Sequence, residues 1–334
     1  MSMKRQHPEL NQVPGFLFSV VSFLEQSTTI NYHHYSIFKE NKKMINAKLA
    51  AKPHPHHQSI VKISETVAFG GQEIVVIGGP CTVESTEQME IVAHKLSTAS
   101  VQALRGGVYK PRTSPYAFQG MGEEGLKILA EVRSRYNLPV VTEVMSISQI
   151  EVVAAHADML QVGSRNMQNF DLLKALGKAG KPILLKRGLS ATIEEFVMAA
   201  EYILSHGNPD VVLCERGIRS FDNYTRNVLD LGAVAALKQI THLPVIVDPS
   251  HAVGKRELVA PVARAAIACG ADGLIIECHP EPEKSVSDAR QALSLEDMAD
   301  LVESLKPVAA AVGRKISEEL GVGLAPTPLC LSAA

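Results

Sequence analysis

Charged and metal-binding side chains follow short apolar runs at several places in this sequence. Lys110-Pro111-Arg112-Thr113-Ser114 comes directly after one such run, and Asp248-Pro249-Ser250-His251 follows another. A fully buried strand has no use for these side chains, whereas the C-terminal rim of a parallel barrel collects them in one site. The pattern therefore predicts a site that is assembled where the strands of a barrel end.

Six cations lie within, at the end of or just beyond the predicted strands. They are Arg105, Lys110, Arg112, Arg165, Lys186 and Arg216. The formal net charge of the chain is only -2, so this positive charge is local, and it would be costly unless anions offset it. Arg suits bidentate contact with carboxylate or phosphate, and Lys acts as a point charge. We expect substrates with two phosphates, or a phosphate and a carboxylate, although single members could instead form surface ion pairs.

A second group supplies metal-binding atoms near the same rim. Cys81, His251 and Glu277 come from the first, seventh and eighth predicted strands or the residues just after them. Asp288 lies in the last loop. Because the first and last strands are neighbours in a closed barrel, these side chains could converge. Sulfur, nitrogen and oxygen ligands together suit a divalent transition ion such as Mn²⁺, Fe²⁺, Co²⁺ or Zn²⁺. Two alternatives stay open for Cys81: a packed core thiol, or a nucleophile with His251 as its base.

Eight short runs, apolar on both faces and about 20–35 residues apart, alternate with segments of helical spacing. The runs span residues 74–77, 103–109, 139–144, 159–162, 182–185, 211–214, 244–247 and 273–276. This alternation predicts an α/β fold of the (β/α)8 TIM-barrel type. A doubly wound open sheet is the alternative, but no GxGxxG or Walker-type loop follows the first run. Residues 60–64 and 67–69 predict a short N-terminal β-hairpin.

The predicted domain organisation is a single catalytic barrel over residues 59–315. Residues 1–58 are interpreted as an N-terminal extension that is disordered or partly foreign to the native protein, with Met44 as a possible start. The Pro- and His-rich stretch 52–58 marks the change in composition. Residues 316–334 are expected to form a C-terminal tail.

The composition argues against several other classes of protein. The chain has 334 residues, of which 46% are hydrophobic, enough for a large core. Its near-neutral charge provides no global field for nucleic acid or an anionic membrane. The apolar stretch 15–24 is shorter than the about 20 residues that cross a bilayer, and no small-residue cleavage site follows it. Five widely spaced cysteines, an odd number, predict reduced thiols and a cytoplasmic location.

Four spaced motifs carry a resemblance to a known family. They are Gly78-Gly79-Pro80-Cys81-Thr82-Val83-Glu84-Ser85, Lys110-Pro111-Arg112-Thr113-Ser114, Asp248-Pro249-Ser250-His251 and Glu277-Cys278-His279-Pro280. Over about residues 60–305 the chain resembles 3-deoxy-D-arabino-heptulosonate 7-phosphate (DAHP) synthases of the short bacterial type, similar to the β subfamily of class I. The related 3-deoxy-manno-octulosonate 8-phosphate synthases share the Gly-Pro-Cys start but have an Asn-Arg-Ser-type stretch after the loop lysine. The loop in this chain is more similar to the heptulosonate family.

The resemblance implies a transferase that condenses phosphoenolpyruvate (PEP) with D-erythrose 4-phosphate. This is the first step of the shikimate route to chorismate and the aromatic amino acids. The alternative within enzymes is the octulosonate synthase reaction, in which arabinose 5-phosphate is the acceptor. A non-catalytic phosphosugar-binding barrel is the rival from another class, and the loss of any metal-ligand type would favour it. All four ligand types are present in the sequence.

The resemblance also assigns roles to residues. The divalent metal would be held by Cys81, His251, Glu277 and Asp288. The phosphorylated substrates would contact Arg105, Lys110, Ser164, Arg165, Lys186 and Arg216, with Arg112 and Thr113 at the sugar phosphate. Catalysis would involve Lys110 as proton donor, Glu143 in orienting water, and His251.

Two further expectations concern partners and regulation. The partners are small phosphorylated molecules and other copies of the chain in a dimer or tetramer. Relatives often carry a ferredoxin-like regulatory domain or a fused chorismate mutase, but residues 1–58 lack the pattern of the first and the tail after Ala309 is too short for the second. We therefore expect no built-in inhibition by aromatic amino acids. Ala289 follows Asp288 where relatives often have Gly, which leaves the geometry of that loop open.

Overall fold

The computed structural model describes residues 45–111 and 114–317 of the chain. The possible start Met44, Arg112 and Thr113 lie outside the described residues, as do the first 44 residues of the predicted extension and the tail from residue 318. The domain limits at 59 and 315 stay a prediction.

A short antiparallel hairpin precedes the main sheet, as predicted. Strand β1 (Val61–Lys62) pairs with β2 (Ala68–Phe69). Val61 and Phe69 are fully buried and belong to one cluster with inward-facing barrel side chains such as Ile275. Since β2 is followed directly by the first barrel strand, the hairpin closes the N-terminal end of the barrel and leaves the other end open.

Eight parallel strands form a closed barrel, which confirms the (β/α)8 prediction. They are β3 (Glu73–Gly79), β4 (Ala103–Arg105), β5 (Val140–Glu143), β6 (Met159–Val162), β7 (Ile183–Lys186), β8 (Val211–Glu215), β9 (Val245–Val247) and β10 (Gly273–Glu277). Each strand pairs with the next along the chain, and β10 pairs with β3. In that last pair Ile275 lies opposite Ile77 and Glu277 opposite Gly79.

One predicted strand is too long. The second barrel strand was expected over residues 103–109, but β4 ends at Arg105. The chain leaves the ladder at its two glycines, because Gly107 forms a bridge with Thr82 in the loop after β3. Lys110 therefore lies on a loop beyond the strand rather than at the end of the strand.

Nine α-helices lie in the described part of the chain. They are α1 (Thr86–Ser97), α2 (Glu123–Tyr136), α3 (Ile150–His156), α4 (Phe170–Leu176), α5 (Ile193–Leu204), α6 (Leu231–Ile240), α7 (Pro249–Val253), α8 (Arg256–Ala268) and α9 (Leu295–Ala311). Side-chain caps fix several starts; Thr192 and Glu195 form a reciprocal capping box at α5. Helix α7 was not predicted, because five residues are too few to show helical periodicity. None of the described helices is long and apolar enough to cross a membrane.

The core has two layers, separated by the wall of the barrel. The inner layer contains the hairpin and alternate strand residues such as Val141, Leu184 and Ile246. The outer layer packs the other strand residues, such as Leu185, against helix residues such as Phe196. Strands buried on both faces explain why these runs are apolar throughout.

Residues 45–58, which belong to the predicted extension, pack on the helices of the barrel. The carboxylate of Glu201 on α5 accepts backbone N–H groups of Lys48, Leu49 and Ala50 at 2.8–3.1 Å. Ala51 forms a bridge with Thr241 at the end of α6. A final short strand, β11 (Lys315–Ile316), pairs with the start of β3.

Candidate active site

The four predicted metal ligands converge at the open end of the barrel. One donor atom from each of Cys81, His251, Glu277 and Asp288 lies within 4.8 Å of the others. Cys81 follows β3, His251 lies on α7, Glu277 ends β10, and Asp288 lies in the loop between β10 and α9. The pairing of β10 with β3 is what brings the first and last of these elements side by side.

Asp248 holds the imidazole of His251 in a defined orientation. Its Oδ1 accepts the backbone N–H of His251 at 2.9 Å, which caps α7, and its Oδ2 accepts from Nδ1 at 2.7 Å. Because Nδ1 donates to a carboxylate, the lone pair of Nε2 faces the cluster, 3.2 Å from Glu277 Oε1. Burial lowers the pKa of His251, although Asp248 and Glu277 oppose this shift. The imidazole is therefore neutral, the form that binds a metal.

Glu277 carries an oxygen that needs a further partner. The side chain is completely buried, and its Oε2 accepts from Gln291 Nε2 at 2.6 Å. Oε1 lies 3.1 Å from Arg105 Nη2 but, among the described residues, has no hydrogen-bond partner. A buried carboxylate oxygen without a partner is unfavourable. This orphaned oxygen and the mixed S, N and O donors fit a divalent transition metal.

Asp288 enters the cluster from a loop with an unusual backbone angle. Its φ is +57°, in the left-handed region that Asp tolerates better than most residues. Although burial raises the pKa of this carboxyl group, His251, Cys81 and Arg226 lower it, and it stays ionised. The next residue, Ala289, is not among those with positive φ, and its carbonyl accepts from Arg256 Nη2 at 3.0 Å. The loop therefore does not need Gly at position 289.

The environment of Cys81 argues against the nucleophile interpretation. Its Sγ lies 3.1 Å from Asp288 Oδ2, and burial and the nearby Glu277 raise the pKa of the thiol to about 12. A thiol with so high a pKa supplies almost no thiolate nucleophile at neutral pH. A metal cation in the cluster would instead favour the thiolate and use it as a ligand.

A pocket of about 360 Å³ opens beside the cluster and shares His251 and Asp288 with it. Seven cations line this anion pocket: Arg105, Lys110, Arg165, Lys186, Arg216, Arg219 and Arg226. Five of the six predicted cations are thus brought together, and Arg112 lies outside the described residues. Ser164 and Glu143 also line the pocket. A larger, more open groove of about 840 Å³ between α8 and α9 contains none of the predicted site residues, so volume alone does not locate the site.

Two buried guanidinium groups in the anion pocket have N–H groups that lack a close hydrogen-bond acceptor among the described residues. Arg105 Nη1 is buried without a hydrogen-bond partner among the described residues. Arg216 is 5% exposed; its Nη1 makes one long contact of 3.5 Å with the carbonyl of Gly217. Burial, and secondarily Arg226, lowers the pKa of Arg216. An anion in the pocket would relieve both the desolvation and the repulsion.

Lys110 joins the anion pocket to the metal-ligand cluster. Its Nζ donates to the carbonyl of Cys81 at 2.8 Å and to Sγ of Cys81 at 2.9 Å. Arg165 Nη1 donates to the carbonyl of Pro111 at 3.0 Å, which ties the loop that carries Lys110 to the turn after β6. The two predicted cations therefore share one side of the pocket.

Glu143 lies at the end of β5 and lines the anion pocket. Its Oε2 accepts from Gln161 Nε2 at 3.1 Å. A Cβ atom at position 163 would lie 2.2 Å from Oε1 of Glu143, so a larger residue there would displace the carboxylate from this position. The carboxylate is oriented but not paired with a described cation.

A comparison with families of known proteins decides the relationship of the chain. The model described as the DAHP synthetase I family matches residues 58–312. The chain belongs to this family. The match extends over the hairpin, the whole barrel and all residues of the cluster and the anion pocket.

Two comparisons place this DAHP synthetase I family member near proteins of Thermotoga maritima. It is 48% identical over 270 residues to the phospho-2-dehydro-3-deoxyheptonate aldolase of that organism, covering 81% of this chain and 80% of the relative. The crystal structure of a T. maritima phospho-2-dehydro-3-deoxyheptonate aldolase (DAHP synthase) matches with a TM-score of 0.78 at 46% identity, covering 81% and 79% of the two chains. A truncated form of the T. maritima synthase gives 0.76, covering 80% of this chain and 98% of that one.

Octulosonate relatives of the family are less similar. The 2-dehydro-3-deoxyphosphooctonate aldolase of Syntrophotalea carbinolica is 32% identical over 270 residues, covering 75% of this chain and 96% of the relative. The enzyme of the same description from Stenotrophomonas maltophilia is 35% identical over 252 residues, covering 70% and 90%. The similarity is thus greater to the heptonate relative.

Three polar residues that sequence reasoning missed lie together in the anion pocket: Arg219, Arg226 and Asn227. All three lie in the loop between β8 and α6, several residues beyond the strand end. The cations at 219 and 226 were visible in the sequence, but hydrophobic periodicity does not report how a long loop folds back. Arg226 and Asn227 are held by backbone hydrogen bonds to α7, whereas the backbone N–H of Arg219 donates to the carbonyl of Leu189.

A buried ionic network behind the pocket was also missed. Arg187 Nη1 binds Glu215 Oε2 at 2.8 Å and Asp230 Oδ2 at 3.1 Å, and Nε donates to the carbonyl of Ala191. These residues alternate along their strands with the pocket residues, since Arg187 follows Lys186 and Glu215 precedes Arg216. The network therefore fixes the strand ends from which two pocket cations project.

Proposed function

We propose that the protein is a metal-dependent DAHP synthase. It condenses PEP with D-erythrose 4-phosphate and releases phosphate, the first step of the shikimate pathway. The observation that carries this proposal is the contact between two sites: a cluster of Cys, His, Glu and Asp ligands, and a pocket lined by seven cations. A non-catalytic protein that binds a sugar phosphate has no need of the metal-ligand cluster.

The cations would hold two anionic substrates together. Arg105, Lys186 and Arg216 lie deepest in the pocket and would bind the carboxylate and phosphate of PEP, with Ser164 and Arg165 at its mouth. The spare N–H groups of Arg105 and Arg216 support this assignment. By the family resemblance, Arg112 and Thr113 would bind the sugar phosphate. Holding both substrates offsets their repulsion and the entropy of bringing them together.

The cluster of Cys81, His251, Glu277 and Asp288 would hold the metal, which we propose to be Mn²⁺, Fe²⁺, Co²⁺ or Zn²⁺. When bound, it would supply Lewis-acid polarisation of the aldehyde oxygen or orient the attacking water. His251 thus serves catalysis through its neutral Nε2, which Asp248 directs into the cluster.

The remaining side chains move protons. C3 of PEP forms a bond to the aldehyde carbon, and the resulting alkoxide takes a proton from Lys110, which lies between the pocket and the cluster. Water then adds to C2, and its proton passes towards the carboxylate of Glu143, which lines the pocket. Phosphate leaves with cleavage of the C–O bond, so that PEP, aldehyde and water give the heptulosonate and phosphate.

The test is a comparison of acceptors. PEP consumption and product mass would be measured with erythrose 4-phosphate and arabinose 5-phosphate in parallel. The proposal requires turnover with the four-carbon aldehyde and formation of the seven-carbon product. Turnover with arabinose 5-phosphate alone would assign the octulosonate reaction instead, and binding of either sugar phosphate without turnover would indicate a non-catalytic barrel.

Two properties complete the proposal. The four described cysteines are free thiols, which supports a reducing, cytoplasmic compartment. By the family resemblance the protein would form a dimer or tetramer, and light scattering on the purified protein measures this directly.

A further inference from the structure

The loop between β8 and α6 reaches back to the metal-ligand cluster through one arginine. Arg226 Nη1 donates to Oδ1 of Asp288 at 3.0 Å and to Oε1 of Gln291 at 3.0 Å. Gln291 is 2% exposed, and its Nε2 donates to Oε2 of Glu277 at 2.6 Å. Gln291 therefore links Arg226 to Glu277. One guanidinium group therefore contacts one ligand directly and a second ligand through a buried amide.

The backbone of the same loop segment is fixed on α7, which carries a third ligand. The N–H of Arg226 donates to the carbonyl of Val253 at 3.0 Å. Asn227 donates from its backbone N–H to Ala252 at 2.8 Å and from Nδ2 to the carbonyl of His251 at 2.9 Å. Arg226 is thus held by the element that positions His251.

The fit between Arg226 and the end of α7 requires a glycine. Gly254 has a φ of +67°, and a Cβ atom there would lie 2.5 Å from Cβ of Arg226. A larger residue would push the arginine away from Asp288. The close approach supports a defined position for this side chain rather than an incidental surface contact.

We propose that Arg226 is a positioning residue of the metal site and sets its affinity for the divalent ion. The two carboxylate oxygens of Asp288 have separate partners: Oδ1 binds Arg226, and Oδ2 faces Cys81 Sγ at 3.1 Å and His251 Nε2 at 3.9 Å. A cation repels a metal ion, so the arginine acts by orienting Oδ2 and, through Gln291, Glu277. This inference rests on the proposed function, which requires the metal.

The test compares metal binding by four variants. Metal-stripped protein would be titrated with Co²⁺ by calorimetry, and visible absorption would report the coordination of the bound Co²⁺. Arg226→Gln removes the charge and shortens the reach, Gln291→Met breaks the link to Glu277, and Arg226→Lys keeps a cation that can donate to two acceptors. Arg219→Gln is the matched control, because Arg219 lines the same pocket, and among the described residues its side chain has no contact with the four ligands.

The expected result is a loss of Co²⁺ affinity of about 10- to 100-fold for Arg226→Gln and Gln291→Met, the usual effect of removing an outer-sphere partner. The Arg226→Lys and Arg219→Gln variants should bind Co²⁺ with nearly the affinity of the unchanged protein. A folded Arg226→Gln variant with unchanged affinity would overturn the inference. If that variant does not fold, unchanged affinity of Gln291→Met would overturn it instead. A loss of affinity in a protein that forms no heptulosonate would support the positioning role and contradict the proposed function alone.

Discussion

The ammonium group of Lys110 donates a hydrogen bond to the thiol sulfur of Cys81 over 2.9 Å. Cys81 is a member of the metal-ligand cluster, and Lys110 lines the anion pocket. A substrate in the pocket therefore lies within reach of both. This contact explains why a proton donor for an alkoxide formed beside the cluster should be Lys110 rather than another cation.

Removal of Lys110 should affect turnover more than folding. For Lys110→Met we expect kcat to fall by about 10²–10⁴-fold, the range for loss of a general acid. The measurement is the steady-state rate of PEP consumption, with the melting temperature recorded for each protein. Lys127→Met is the control, since Lys127 is 63% exposed on α2, and it should keep full activity. A Lys110→Met enzyme of normal kcat would exclude the proton-donor role.

Asp248→Asn should weaken both stability and metal binding. Asp248 is completely buried and pairs with Lys186 as well as His251. Although burial raises the pKa of its carboxyl group, His251 and Lys186 lower it well below its usual range. Asn leaves Lys186 as an uncompensated buried charge, so we expect a loss of about 3–5 kcal/mol in the free energy of unfolding.

The same variant no longer fixes the tautomer of His251, and Co²⁺ affinity should fall by about 10- to 100-fold. Urea denaturation of the metal-stripped protein and calorimetry would measure the two effects. Asp171→Asn is the control, because Asp171 is 80% exposed on α4. Equal stability of the two variants would contradict the account of Asp248 as a buried ion-pair partner.

His242 should make stability fall in mild acid. Its Nε2 donates to the carbonyl of Leu49, and in the neutral ring its Nδ1 accepts from the hydroxyl of Ser59, each at 2.7 Å. Burial, reinforced by His57 and Lys52, lowers its pKa below 6.5. The unfolded chain then takes up a proton near pH 6.5 while the folded chain does not, so this contribution is complete above that pH and is lost as pH falls towards the lowered pKa.

The measurement is the free energy of unfolding at a series of pH values between about 5 and 8. Other groups also titrate there, so the difference between the original protein and His242→Asn isolates this side chain. The decline in stability from pH 7 to pH 5 should be smaller in the variant. Parallel curves for the two proteins would show that His242 does not contribute.

The barrel could be predicted because short-range patterns mark its strands, and the cluster could be predicted because closure of the barrel follows from that fold. The run 159–162 coincides with β6, since a strand buried on both faces is marked by its apolar residues. Cys81 and Glu277 could be placed together because closure makes the first and last strands neighbours. The predicted end of β4 at residue 109 was wrong. The chain leaves the sheet at Gly106 and Gly107, but the apolar and aromatic residues that follow them continue the apolar pattern of the strand.

What sequence could not supply depends on tertiary contacts. The space that Gly163 leaves for Glu143 is visible only when two strands lie side by side. The double role of Asp248 requires α7, which is too short for a periodic signal. Arg226 meets Asp288 because a loop of irregular structure folds onto α7, and no pattern in the chain encodes that path.

The most direct test of the central claim is DAHP formation by metal-stripped protein before and after Mn²⁺ is added back. The assay would contain PEP and erythrose 4-phosphate, and Cys81→Ala would be measured in parallel as the variant that lacks a ligand. We predict no turnover after chelation, recovery with Mn²⁺, and little or no recovery in Cys81→Ala. Turnover that is unchanged by chelation and by the substitution would contradict a catalytic metal held by Cys81, His251, Glu277 and Asp288.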